Sequence, residues 1–471
     1  MQLNKIKLHS CTTFASAQSQ ITLDDDYNVP DYRPDIVKVL KEKGELQFDE
    51  VKAAAGAAWL KGRLVFKVLY RSDQDNAKIS CLKGEIPFQE KLNMDGVQEY
   101  DVIQASGEIE DLTIGVIHSR KISVRAVILL KAEEPREKED ELCVGIEADD
   151  GCEKRYRNTN ILQLLCMKRD QCRQKSEITL PSSKPNVQEI LWKSLEIRNL
   201  DTKMGQDGVK LSGEVLISVL YQEEEETDRV QWYETVIPLD CGVECDAGAE
   251  ADIIYKVKAG PASMELEVKP DYDGEERVLV LELVMNLDIR VWKEQEISML
   301  EDVYSLKKEI IPVCTGVTLQ HISVKNDSQC RLTEQMELAE SQEKILQICS
   351  CEGTVHLEST ELTGQGVRAE GILVTELLYI TTDDQMPIGS AREIYPFEQL
   401  IEIPQQTART ERNKPEELEA LERKNKLQTE LDCRISQLSA VMLDQDHVEI
   451  KAVIGLDLLA FEQEERDNIT D

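Results

Sequence analysis

The sequence predicts a mainly β protein of three repeated antiparallel β-sandwich-like domains, each with a short helix. Two observations predict this fold class. One is an internal repeat with a period of about 150 residues, and the other is a period-two alternation of apolar residues along many segments. A repeat of this length is too long for one solenoid unit, so each copy should have its own hydrophobic core.

The repeat is recognised by three landmarks that recur at fixed spacing. Each copy has a glycine, a Leu-Tyr dipeptide whose tyrosine comes eight residues later, and a proline 17 residues after the tyrosine. The landmarks are Gly62, Tyr70 and Pro87 in the first copy, Gly213, Tyr221 and Pro238 in the second, and Gly371, Tyr379 and Pro396 in the third. Three landmarks matched in three copies indicate a triplicated domain.

Strands are predicted where apolar and polar residues alternate. Residues 122–126, 279–287 and 447–457 alternate in this way. A period of two places one face of a strand on a core and the other in water, as in antiparallel sheets. The recurring proline favours an edge strand or a strand start. We interpret the recurring tyrosine as a packing residue rather than a binding residue.

A short helix is predicted ahead of each Leu-Tyr dipeptide. Residues 34–40 and 185–191 share the pattern Pro-(Asp/Asn)-(Ile/Val)-x-x-(Ile/Val)-Leu, and residues 340–346 resemble it without the proline. Apolar residues at i, i+3 and i+4 behind a proline are typical of a first helical turn. We expect this helix to cover an open end or edge of the sheet.

These patterns divide the chain into segments. The predicted domains span 20–131, 176–300 and 334–461; the segments between and after them are an acidic linker with a helix at 132–175, a linker at 301–333 and an acidic tail at 462–471. The helix of the first linker is placed at 158–172. An insertion at 415–424 is rich in helix formers and predicts a solvated surface helix, with a partner contact as the alternative.

Charge excludes some partners. The 471 residues include 55 Lys plus Arg and 91 Asp plus Glu, which gives a formal charge of −36. Nucleic acid is not expected as a main partner, because phosphate binding needs clustered cations, and an anionic membrane surface is disfavoured for the same reason. No apolar run is long enough for a membrane helix or, in residues 1–22, for a signal peptide, so a cytoplasmic location is expected.

The cysteines predict reduced thiols. Thirteen cysteines are spread along the chain, unlike the dense framework of a small secreted domain. Cys349-Ser-Cys351 and Cys241-x3-Cys245 lack the spacing of zinc sites. We interpret these cysteines as small apolar packing residues, with late oxidative cross-linking as the alternative.

No catalytic, cofactor-binding or metal-ligating residues are predicted. The five histidines share no repeat position, and phosphate-binding glycine loops and nucleophile elbows are missing from the sequence. The acidic run 223–226 lacks the glycine and alternating oxygen ligands of a calcium loop, so we interpret it as a solvated hairpin tip. The sequence therefore predicts a protein that is not an enzyme and needs no cofactor.

The repeat landmarks resemble a known family. Residues 176–191, followed by Gly213 through Tyr221 and Pro238, resemble the SPOCS (spore-coat-associated) domain, as do 20–40 with 62–70. Residues 301–305, Glu-Asp-Val-Tyr-Ser, resemble the Asp-Ala-Tyr-Ser stretch that follows such a domain. The resemblance covers about residues 20–461 and is looser in the third copy.

The resemblance is to the SipL-type proteins of anaerobic endospore formers. It implies a role in spore coat morphogenesis, in the mother cell at the forespore surface. Typical members end in a LysM module that contacts the coat ATPase of stage IV sporulation. Here an acidic tail follows Phe461, so we expect no LysM module and do not carry the ATPase contact over to this chain.

Three functional hypotheses follow. The leading one is a non-enzymatic scaffold of spore morphogenesis that binds other coat or morphogenesis proteins, with self-association possible. The alternative is a structural subunit of a spore-associated filament or appendage, assembled by pairing of exposed strand edges. A hydrolase of wall or coat polymers is the third, and it would need a cleft with convergent carboxylates.

Overall fold

A computed structural model describes residues 2–72, 79–147, 152–224, 230–249, 252–305, 309–339, 342–383, 386–403 and 427–471. Apart from a 3-10 turn at Asp246–Ala249, the described elements are strands. The prediction of a mainly β protein is confirmed.

The eighteen strands of the described residues fall into three sets of six, which we call the first, second and third repeats. The first repeat contains β1 (Gln2–Asn28), β2 (Ile36–Ala54), β3 (Ala57–Ser72), β4 (Ile79–Asn93), β5 (Gln104–His118) and β6 (Lys121–Glu147). The second contains β7 (Cys152–Thr179), β8 (Val187–Gly205), β9 (Gly208–Glu223), β10 (Val230–Glu244), β11 (Ile253–Pro270) and β12 (Glu276–Ser305). The third contains β13 (Cys314–Glu337), β14 (Ile345–Leu362), β15 (Gly366–Thr381), β16 (Ile388–Glu402), β17 (Leu427–Met442) and β18 (His447–Ile469).

Each repeat is built from two three-stranded antiparallel sheets. One has the order β1-β6-β5 and the other β2-β3-β4, and the second and third repeats reproduce both orders with β7-β12-β11, β8-β9-β10, β13-β18-β17 and β14-β15-β16. The two sheets of a repeat enclose one hydrophobic core, to which both contribute. The period-two pattern places every second side chain of β3, from Leu64 to Tyr70, in that core.

The prediction of short helices at 34–40, 185–191 and 340–346 is wrong. Ile36, Val187 and Ile345 begin strands β2, β8 and β14, and each stands 34 residues before the tyrosine of its repeat. All three strands have two register shifts close together at their start. Each β-bulge adds one residue to a strand. Two successive bulges therefore change the spacing of the apolar residues from every second position to i, i+3 and i+4, the pattern that suggested a helix.

The helix predicted at 158–172 is also wrong, since these residues lie in β7 and pair with β12. Segments expected to be linkers or tail also continue strands: 132–147 belongs to β6, 301–305 to β12, 314–333 to β13 and 462–469 to β18. The insertion at 415–424 lies outside the described residues. The domain boundaries themselves stay a prediction.

These strand extensions bring the three repeats into contact with one another. The first halves of β1, β7 and β13 pair with the last halves of β6, β12 and β18 as two-stranded ribbons. The ribbons share an apolar cluster that takes two residues from each repeat, namely Leu8, Leu142, Ile161, Met299, Val317 and Leu319. Burial of apolar residues on both faces of a ribbon explains why β7 lacks the alternation that identifies other strands.

The repeats pack head to tail into a closed ring. Strand β4 of the first repeat lies against β8 of the second, β10 against β14 of the third, and β16 against β2 of the first. These three contacts are equivalent, so the three repeats of this single chain are related by pseudo-threefold symmetry. A head-to-tail contact that returns to its starting point leaves no open interface.

Candidate functional site at the junction of the three repeats

The Leu-Tyr dipeptide connects each repeat to the ring. Tyr70, Tyr221 and Tyr379 are fully buried in the cores of their own repeats, as predicted. Adjacent residues of a strand face opposite sides, so the preceding leucines point away from those cores. Leu69, Leu220 and Leu378 meet in one cluster, together with Leu40, Ile79, Leu191, Trp192 and Ile388. This cluster, which draws on all three repeats, is the hydrophobic centre of the junction.

Beside this cluster, one carboxylate binds side chains from two other repeats. Glu352 of the third repeat accepts ion pairs from Lys41 at 2.9 Å and Lys43 at 2.5 Å, both on the first repeat. The indole Nε1–H of Trp192, on the second repeat, donates to the same carboxylate at 3.2 Å. Only 3% of the Lys41 side chain is exposed. Burial alone would raise the pKa of Glu352, but the two lysines outweigh it and hold that pKa at about 2.

Ion pairs also connect neighbouring repeats away from this centre. Arg33 of the first repeat donates two hydrogen bonds to Glu189 of the second, at 2.7 and 3.0 Å. Between the second and third repeats, Arg290 pairs with Glu430 at 3.1 Å. Further pairs join Lys256 and Lys258 to Asp432 at 2.7 and 2.8 Å. Burial raises the pKa of Glu430, but the nearby cations outweigh it and lower that pKa overall.

A hydrogen bond explains why the tyrosine follows the loop proline at the same distance in the first two repeats. The hydroxyl of Tyr70 donates to the carbonyl of Pro34 at 3.1 Å, and that of Tyr221 donates to Pro185 at 3.2 Å. In the first and second repeats, the loop that joins the two sheets is therefore attached to the end of a core strand. Sequence reasoning found these residues but assigned the loop to a helix.

Sequence reasoning missed an arginine that closes the same loop. Arg120 donates to the carbonyls of Val29, Pro30 and Arg33 at 3.0, 2.9 and 2.6 Å, and it pairs with Asp35 at 3.1 Å. Arg277 donates in the same way to Pro181 at 2.7 Å and to Asn186 at 2.9 Å. The sequence did contain a signal for these arginines. Each stands two residues before the first buried residue of a strand, β6 or β12.

In the third repeat the charges of this contact between hairpin and loop are reversed. Asp446 occupies the place of Arg120 and Arg277, and Lys344 occupies that of Asp35 and Asn186. The two side chains still form an ion pair, at 3.2 Å. The reversal explains why the third copy of the motif was hard to recognise, because the contact is kept while its residue types change.

Removal of the Arg120 guanidinium should open this loop. We expect Arg120→Met to lower the free energy of unfolding by about 2 kcal/mol, since three partly buried carbonyls lose a charged donor. Chemical denaturation of the full chain measures the change. Lys121→Met is the control: Lys121 pairs with the exposed Asp26 at 2.6 Å, and such a pair contributes less than about 1 kcal/mol. Equal effects of the two substitutions would contradict the assignment.

The cysteines are only partly as expected. Cys172 and Cys241 form a disulfide, which joins β7 to β10 across the two sheets of the second repeat. The interpretation of Cys241 as a reduced packing residue is therefore wrong. The Sγ atoms of Cys166, on β7, and Cys245, directly after β10, lie 3.8 Å apart. Cys349 and Cys351 are free, and burial raises the pKa of each thiol to about 12, in keeping with packing roles.

The prediction that the chain has no catalytic or cofactor-binding residues stays a prediction. Within the described ranges, no group of three or more His, Cys, Asp or Glu side chains is arranged to hold a metal ion. No helix among those residues is long and apolar enough to cross a membrane. Of the acidic run 223–226, Glu223 is buried, while residues 225 and 226 lie outside the described part.

One end of the ring exposes apolar side chains. The hairpins β5–β6, β11–β12 and β17–β18 carry Ile117, Tyr272 and Leu443, whose exposed fractions are 50%, 108% and 54%. Backbone hydrogen bonds connect each hairpin to the loop between the two sheets of its repeat. Those loops adjoin the tyrosines whose leucines meet at the centre, so the three hairpins surround the same end of the ring. We name Ile117, Tyr272 and Leu443 the hairpin surface.

The fold and the junction define a class of multi-domain β protein in which three copies of one sandwich form a closed ring. The family described as "SipL, SPOCS domain" matches residues 35–117, 186–269 and 344–422, which together are more than half of the chain. The chain belongs to this SPOCS-domain family. No curated protein and no solved structure matches it significantly.

Proposed function

We propose that the protein is a non-enzymatic scaffold of spore morphogenesis that collects other coat or morphogenesis proteins at the forespore surface. Membership of the SPOCS-domain family supports a sporulation role. The observation that carries the scaffold role is the hairpin surface, where three equivalent hairpins expose large apolar side chains at one end of a ring. Exposed apolar groups on a rigid support are typical of protein interaction sites.

We prefer this role to that of a filament subunit built by strand pairing. The sheet edges β4, β10 and β16 lie against β8, β14 and β2 of the neighbouring repeats. An edge covered in this way offers less backbone to another copy of the chain.

The proposal is tested by a tagged full-length chain in sporulating cells. The variant carries Ile117→Glu, Tyr272→Glu and Leu443→Glu, and we expect it to lose enrichment around the forespore while its thermal stability is unchanged. The control carries Val236→Glu and Ile394→Glu, at mid-strand positions that are 50% and 49% exposed. A wild-type signal spread evenly through the mother cell would overturn the proposal, as would a triple variant that still surrounds the forespore.

A further inference from the structure

Three lysines form one row across the sheet β2-β3-β4 of the first repeat, on the face that meets the other two repeats. Lys43, Lys67 and Lys83 are directly opposed on β2, β3 and β4. Directly opposed residues in antiparallel strands have Cβ atoms about 5 Å apart, and like charges at such positions repel each other. We call these three residues the lysine row.

The row is extended by the second repeat. Strand β8 lies against β4, and it brings Lys193 close to Lys67 and Lys83. Burial first, and then Lys193 and Lys83, lower the pKa of Lys67 to about 8. Burial and Lys83 also lower the pKa of Lys193. The positive charges therefore act on one another across the boundary between two repeats.

These charges are only partly compensated. Lys43 pairs with Glu352, but within the described residues Lys67, Lys83 and Lys193 have no carboxylate at ion-pair distance. Glu45, Glu265 and Glu267 act on Lys193 from farther away. A protein with a formal charge of −36 therefore keeps two half-buried cations, Lys67 and Lys193, and the exposed Lys83 at one place without an ion-pair partner in the described ranges.

The equivalent positions in the other repeats are compensated. Ser218 and Glu234 replace Lys67 and Lys83 in the second repeat, and the serine hydroxyl donates to that glutamate at 3.3 Å. In the third repeat the replacements are Glu376 and Arg392, which form an ion pair at 3.9 Å. The repeats share one backbone, so the unpaired charge results from the side chains of the first repeat and not from the fold.

We propose that the lysine row, with Lys193, binds a compact oxyanion of the phosphate class at the boundary between the first and second repeats. Ammonium groups bind phosphate as point charges. Such an anion would neutralise the repulsion and connect β4 to β8. An extended acidic peptide fits less well, because the net charge of the protein and Glu45, Glu265 and Glu267 would repel it. This inference does not depend on the proposed function.

The test is thermal unfolding of the full chain in buffers of equal ionic strength, which separates binding from screening. We expect inorganic phosphate to raise the Tm by about 3 °C over chloride, with a saturating concentration dependence. Lys67→Met should raise the Tm in chloride, since it removes a repelling charge, and should abolish the phosphate increment. Lys138→Met, which removes a lysine paired with Asp140 at 2.8 Å, should keep the increment.

Two further arms identify the source of the anion and protect the test against a misfolded variant. Phosphoserine in place of inorganic phosphate shows whether the row also accepts a phosphoryl group carried on a larger molecule. Lys83→Gln, at an exposed position, replaces Lys67→Met if the latter does not fold. Equal Tm values in phosphate and chloride would overturn the proposal. A full increment in both lysine variants, or stabilisation by polyglutamate alone, would overturn it as well.

Discussion

Glu352→Gln is expected to lower the free energy of unfolding by about 3 kcal/mol, because it removes the nearer counter-charge of a buried cation and leaves that cation with the more distant Glu376, at 3.4 Å. The cation is Lys41, which is almost wholly buried and whose nearest partner is this carboxylate at 2.9 Å. Denaturant unfolding of the full chain measures the loss. The matched control is Glu393→Gln in the same repeat, where the side chain is exposed and the expected change is within about 0.5 kcal/mol.

A paired substitution tests the electrostatic cause. Lys41→Met combined with Glu352→Gln removes both charges, and we expect it to be more stable than Glu352→Gln alone. A double variant no better than the single one would show that packing, not charge, dominates at this position.

The same carboxylate predicts acid sensitivity of the ring. Its pKa in the folded state is about 2, below the ordinary glutamate value of 4.5, so ionised Glu352 stabilises the folded protein above pH 4.5. That contribution should be lost as the pH falls from 4.5 towards 2. The wild-type chain should therefore lose more stability over this range than Glu352→Gln does. Parallel pH dependences would contradict the assignment.

The second large effect concerns the disulfide of the second repeat. We expect replacement of Cys172 and Cys241 by serine to lower the free energy of unfolding by about 2–4 kcal/mol under non-reducing conditions, because the bond closes a long loop. The two cysteines are 69 residues apart in sequence. Thermal unfolding with and without a thiol reductant provides the measurement.

Reductant should lower the Tm of the wild-type chain and leave that of the double serine variant unchanged. Cys314→Ser is the control, since Cys314 is exposed and free and should behave as wild type. If reductant shifts the wild type and the double variant equally, the bond does not stabilise the protein.

The β class, the triplication and the buried tyrosines were predictable because each depends on local sequence. Alternation determines which face of a strand is buried, and fixed spacing identifies a repeat. The short helices could not be predicted correctly, since two adjacent bulges produce the same apolar spacing as a helical turn.

The junction could not be predicted, because it depends on which sheet faces meet. Lys41 directly follows the segment 34–40, which its apolar spacing assigns to a helix, and its partner belongs to another repeat. One signal was present in the sequence. A leucine precedes each tyrosine on the face that alternation assigns to solvent, and a leucine retained there in all three copies indicates a second apolar contact.

Closure of the ring has a consequence for biosynthesis. Lys43 is made 309 residues before its partner Glu352. Ribosomes add roughly 5–20 residues per second, so the first repeat waits about 15–60 s for its counter-charge. During that interval Leu40, Leu69 and Ile79, which the finished ring buries, are uncovered on the nascent chain. A chaperone that binds nascent chains would therefore find a target in the first repeat until the third has emerged.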